Sequence, residues 1–164
     1  MTDKQPIESH KKLTESTLIN FVLSHSYLMY FFAILFGMIF DVVFPTFISF
    51  KPFSFMGVWL MLLGSLLAYW AQSTSNCTKK EVENGAERDF ARGPYKYSRN
   101  PTHIGLSLAT LGYGVISGSL FIIIFMLIAF FLKKFIFLKK EEALLEQKYG
   151  RKYCEYKKKV HTWI

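Results

Sequence analysis

Charge is missing from a long part of this chain. From Thr102 to Leu132 there is no Asp, Glu, Lys or Arg. A helix on the surface of a soluble protein needs a polar face, so this run excludes an amphipathic helix of the soluble kind. Cysteine is also scarce. Cys77 and Cys154 are the only two, and no metal-ligand spacing surrounds either, so neither a disulfide framework nor a zinc module is expected. The first 26 residues lack an apolar stretch followed by a small-residue cleavage site, so no secretory signal is expected there. No aromatic-basic RNA motif accompanies the basic balance, and we expect no nucleic-acid partner.

What is abundant is apolar and aromatic. Of 164 residues 51% are hydrophobic, with 17 Phe and 9 Tyr, and the net charge is +8. The apolar residues come in long runs rather than stripes, which reads as a small polytopic membrane protein. The expected fold is all-α, with four transmembrane helices in one membrane domain over 1–164. Residues 1–26 form a polar amino-terminal arm, with a short interfacial helix around Leu18 to Leu23 and His25 solvated at its edge. Two spans fill 27–71, from Tyr27 to about Phe47 and from Phe53 to Ala71, with Asp41 at the far interface and a turn at Lys51-Pro52. A polar loop covers 72–101.

The third and fourth spans are expected from about Thr102 to Ser117 and from about Leu120 to Leu138. As one helix, the uncharged run would overshoot a hydrocarbon core of about 30 Å by roughly half. Gly118, between Ser117 and Ser119, offers a turn, so 102–138 is expected to fold as a hairpin. Lys133 and Lys134 would then snorkel from its end towards head groups. Lys and Arg collect in the arm, in the loop after span two and in the tail, whereas the other two turns are nearly free of them. The positive-inside rule therefore puts both termini in the cytoplasm.

Gly105, Ala109 and Gly112 share one face of span three, where another helix can approach closely. Gly112-Tyr113-Gly114 lies inside this apolar helix and is not a dinucleotide fingerprint. The tail, 139–164, reads as an amphipathic helix from Lys139 to Val160, with Leu145, Tyr149, Tyr153 and Tyr156 on one stripe and Gly150 weakening or breaking it. Its Lys157-Lys158-Lys159 run favours anionic lipid.

The hairpin would bring Arg99, Asn100 and His103 to the same interface as Glu141 and Glu142. The residues alone leave two readings of this group open. One is an ordinary flank of charges facing head groups; the other is a polar pocket at the end of a helix pair.

The order of residues adds a third kind of information. Gly93-Pro94-Tyr95-Lys96-Tyr97-Ser98-Arg99-Asn100-Pro101-Thr102-His103-Ile104-Gly105 resembles the signature of the isoprenylcysteine carboxyl methyltransferase and phospholipid methyltransferase superfamily. So do the later Glu141-Glu142 pair and Tyr149-Gly150-Arg151-Lys152-Tyr153-Cys154-Glu155-Tyr156. The resemblance covers about Arg92 to Val160.

The resemblance implies an integral-membrane methyltransferase using S-adenosylmethionine, with no metal. Arg99, Asn100 and His103 would be catalytic, and Arg99 and Asn100 would also contact the cofactor. Tyr95, Tyr97, Glu141, Glu142, Tyr149 and Tyr153 would complete the cofactor site. A lipophilic methyl acceptor, isoprenylcysteine-carboxylate-like or phospholipid-like, would enter from the surrounding membrane lipids. Asn100 stands where the superfamily usually has His, and His103 where it usually has Tyr. Asn keeps hydrogen-bonding capacity but cannot titrate, whereas His103 places an imidazole about one helical turn later. Val160 is followed by His161 rather than Pro. Two other readings compete: a membrane reductase of the sterol-reductase type using a nicotinamide cofactor, and a scaffold without chemistry.

Overall fold

A computed structural model describes residues 27–44, 53–85 and 89–162. The amino-terminal arm, the Lys51-Pro52 turn, the end of span one near Phe47, and Arg88 lie outside the described residues. In chain order the helices are α1 (Tyr27–Val43), α2 (Ser54–Glu83), α3 (Pro101–Ser117), α4 (Leu120–Leu132), α5 (Leu138–Tyr149) and α6 (Arg151–Lys159). A 3-10 turn (Gly93–Lys96) precedes α3, and a π-helical segment (Lys133–Phe137) joins α4 to α5. There is no β-strand among the described residues, and the fold class is all-α.

Two helical stretches, Ser54–Val82 and Leu120–Gln147, are long and apolar enough to cross a membrane, while α1 is apolar but shorter. Only 22% of the apolar window in each long stretch is buried inside the protein. The core helix of a soluble protein would be mostly buried. Here Phe55, Leu66, Phe131 and Phe135 point outward, as lipid-facing side chains do.

α2 runs further than the sequence suggested. The expected loop from Gln72 is helix as far as Glu83. Gln, Lys and Glu have good helix propensity, and a helix is under no obligation to stop where its apolar run stops. Thr78 is buried in this extension.

Glycine sets the spacing of α2 against α3. A Cβ on Gly105 would lie 2.6 Å from the Ala68 nitrogen, and one on Gly112 would lie 2.5 Å from the Met61 nitrogen. Gly57 and Gly64 face the same seam from α2, so the small-residue face of α3 does pack a helix. α1 lies against α4, with Tyr30 and Ala33 packed on Met126 and Ala129. Further along, Phe40 meets Phe121 and Phe125 at ring-centroid distances of 5.6 and 5.2 Å.

The hairpin forms as expected. Gly118 caps α3 with φ +68°, a left-handed conformation that glycine adopts without steric cost. Ser119 follows as the cap of α4, its hydroxyl accepting from the Ile122 N–H at 3.0 Å. α3 and α4 therefore run antiparallel, and their open ends meet far from the turn.

Candidate functional site

The open end of the hairpin starts at a turn. Pro101 is the first residue of α3, where its missing N–H costs nothing. Just before it, Ser98 Oγ accepts from the Asn100 N–H at 3.2 Å and donates to the Thr162 carbonyl at 3.1 Å. The Arg99 N–H donates to the His161 carbonyl at 3.1 Å. The carboxyl-terminal tail is thus laid back over the motif, and Arg99 Nη2 also donates to the Thr162 hydroxyl.

Glu142 arrives from α5. Arg99 Nη1 stands 2.7 Å from Glu142 Oε1, with the two side chains only 10% and 14% exposed. Lys157 of α6 reaches the other oxygen, Nζ to Oε2 at 2.9 Å, and also pairs with Glu146 at 2.6 Å. The Arg99–Glu142 contact is an ion pair without hydrogen-bond alignment. Arg99 Nε and Nη1, Glu142 Oε1 and Thr102 Oγ1 are all buried without a hydrogen-bond partner among the described residues. Arg99 Nη1 and Glu142 Oε1 offset each other's charge, and buried polar groups nearly always find partners, so Arg99 Nε and Thr102 Oγ1 are the atoms with unused binding capacity.

Aromatic side chains close one side. Phe90 lies 5.0 Å from Tyr149, 5.5 Å from Tyr153 and 5.6 Å from Tyr156, ring to ring. The Tyr156 hydroxyl donates to the Tyr95 carbonyl at 2.7 Å, tying α6 to the 3-10 turn. Gly150, at φ +55°, breaks the tail into two helices. This bend lets the stripe of Leu145, Tyr149, Tyr153 and Tyr156 fold over the motif.

Burial, and then the Glu142 carboxylate, raise the Tyr153 pKa, with Arg99 opposing. Burial likewise raises that of Tyr156. Hydrogen bonds donated to Glu146 and Glu142 raise the pKa of Lys157.

The structure brings Arg99, Glu142, Tyr95, Tyr149 and Tyr153 together. Asn100 is adjacent, as the residue before α3. The acidic pair separates: Glu141 accepts from Lys133 rather than from Arg99. Lys133 is only 2% exposed, so it does not snorkel. The π-helical segment turns it inward, where the carboxylate compensates its charge; Lys134 stays exposed. Tyr97 is 68% exposed and faces away from this cluster. His103 is buried against α1 and α4, with Tyr30 and Phe130 beside it.

Sequence reasoning missed Lys157 and Thr162. Lys157 was accessible in principle, since it follows Tyr153 by four residues and so shares its helical face. Thr162 carries no such signal, because it lies beyond the last helix. No group of three His, Cys, Asp or Glu able to hold a metal occurs among the described residues.

No curated protein and no solved structure matches the chain. The family model for phospholipid methyltransferase does, over residues 53–152. That range takes in α2, the motif, the hairpin and the acidic pair, whereas Tyr153, Tyr156, Lys157 and Thr162 of the cluster lie beyond it. The chain belongs to the phospholipid methyltransferase family, and its class of chemistry is methyl transfer in a membrane setting.

Proposed function

We propose that the chain transfers a methyl group from S-adenosylmethionine to a lipophilic acceptor at the cytoplasmic membrane interface. The observation that carries this reading is the buried Arg99–Glu142 ion pair, beside which Arg99 Nε and Thr102 Oγ1 are buried without a hydrogen-bond partner among the described residues. Their chemistry suits that cofactor. Arg99 Nε and the Thr102 hydroxyl are donors for a carboxylate, and the Glu142 carboxylate is an acceptor for an ammonium or a ribose hydroxyl. Tyr95, Tyr149 and Tyr153 shape the apolar wall, Asn100 contributes amide hydrogen bonding beside Arg99, and Glu141 holds Lys133 in place behind the site. Tyr97 and His103, expected in the site from the motif, are assigned outside the first layer of contacts.

The cofactor supplies a methyl group already activated by a sulfonium. What remains for the protein is alignment and the exclusion of water. The α6 cap and the tail over Ser98 and Arg99 serve both needs. A carboxylate acceptor needs no general base, whereas a neutral amine or thiol must lose a proton. The acceptor, isoprenylcysteine-like or phospholipid-like, enters sideways between lipid-facing helices. The charge distribution supports four crossings with both termini cytoplasmic.

Isothermal titration of the detergent-solubilised protein with S-adenosylhomocysteine tests this reading. We expect saturable binding, weakened at least about tenfold in a folded Glu142→Ala variant, because a charged hydrogen bond contributes about 1.5–3 kcal/mol. Binding of NADPH instead would support a reductase. Binding of neither would support a scaffold, and both results overturn the proposal.

A further inference from the structure

α1 lies outside the region that defines the family, yet it touches the motif. The Tyr30 hydroxyl stands 2.7 Å from His103 Nδ1 and 2.6 Å from Ser107 Oγ, and Ser107 Oγ donates to the His103 carbonyl at 2.8 Å. Tyr30 and His103 are each only 3% exposed. The ring of His103 also stacks on Phe130 of α4, at 5.7 Å and an interplanar angle of 21°. Three helices therefore meet on one imidazole in the first turn of α3, one residue after Thr102 and four after Arg99.

The Tyr30 hydroxyl also lies 3.4 Å from His103 Nε2, so it contacts both ring nitrogens, and together with Phe130 it fixes the orientation of the imidazole.

We propose that Tyr30 is a positioning residue for the methyl-transfer site: by holding the His103 ring in this orientation, it locks the first turn of α3 between α1 and α4. It thereby sets where Arg99 and Thr102 stand relative to Glu142. Ser107 and Phe130 touch His103 from within the matched region, and Tyr30 is the contact that α1 adds, so α1 is part of the working unit and not only a membrane anchor. The functional consequence rests on the methyltransferase reading, but the restraint does not.

The experiment uses the full chain in detergent with 15N-labelled histidine, the His103 signals being assigned by their loss in His103→Gln. In Tyr30→Phe we expect the His103 ring nitrogen signals to shift and amide exchange of residues 102–104 to quicken. S-adenosylhomocysteine affinity should fall about three- to tenfold, the range for one lost hydrogen bond. Phe40→Leu, at the far end of α1, is the control for general loosening; it should lower thermal stability while leaving affinity and the His103 signal unchanged.

A Tyr30→Phe variant with unchanged His103 ring signals and unchanged exchange in residues 102–104 overturns the proposal, and so does one whose loss of affinity is matched by Phe40→Leu at equal stability. If the wild type binds no S-adenosylhomocysteine, the methyltransferase reading falls, and the ring-signal and exchange results still decide the restraint.

Discussion

The seam between α2 and α3 and the polar cap over Arg99 hold the molecule together by opposite means. The seam works through missing side chains, with Gly57 and Gly64 opposite Gly105 and Gly112 and backbones so close that no Cβ fits. The cap works through long charged and aromatic side chains reaching from α5 and α6. In lipid there is little hydrophobic drive between helices, so close backbone packing is what gives the seam its strength. At the interface, water competes for every charge, and an ion pair contributes little unless it is shielded. A seam of this kind has one geometry, whereas a cap of this kind can admit a ligand. The lesson is that a scaffold and a site can be neighbours because their forces respond differently to water.

The strongest way to break that contrast is at the seam. Gly105→Leu puts a side chain where a Cβ alone would lie 2.6 Å from the Ala68 nitrogen and 2.7 Å from the Gly64 carbonyl. Backbone cannot yield as a flexible side chain does, so α2 and α3 must separate. We expect loss of most folded protein, seen as aggregation in size-exclusion chromatography. A monodisperse variant of wild-type thermal stability would show that the seam is loose.

The cap should fail more gently, and at alkaline pH. Tyr153 and Tyr156 have pKa values raised above 10.0 and Lys157 above 10.5 in the folded protein. In each case the unfolded chain releases its proton first as pH rises. The stabilisation is complete below about pH 10 and is lost above it, through the folded values. Thermal midpoints should therefore be flat from neutrality to about pH 10 and then fall. The fall should be shallower in a Tyr153→Phe/Tyr156→Phe double variant, and an equal fall in both proteins would remove these tyrosines as its cause.

The smallest effect is expected at a third kind of contact. Arg92 and Glu81 form an ion pair at 2.6 Å with both side chains nearly half exposed. The hydrogen bond to Arg92 lowers the Glu81 pKa, but solvent screens such pairs. Arg92→Ala should shift the thermal midpoint by no more than about 2 °C, in keeping with the low value of exposed pairs. A large shift would mean that the extended end of α2 belongs to the cap.

Much of this was visible in the order of residues. The uncharged run with basic flanks and a central Gly118 requires the chain to double back, and Gly105, Ala109 and Gly112 mark the packed face. Arg99 was brought near the Glu141-Glu142 pair by that logic. The length of α2 was not visible, because helix-forming polar residues after Ala71 suit a loop as well as a helix. The inward turn of Lys133 was hidden too, since it depends on a π-helical segment that shifts the register by a fraction of a turn. The burial of His103 against Tyr30 pairs residues 73 apart in sequence, with no local pattern to announce it.

Hydropathy and charge spacing thus determined, without coordinates, that this chain is helical, membrane-set and folded back on itself, because transfer out of water acts on each segment separately. Only the tertiary structure decided which acid meets Arg99, which lysine turns inward and which helix holds His103. Those choices depend on side-chain direction and register between segments, and small rotations of a helix exchange one partner for another.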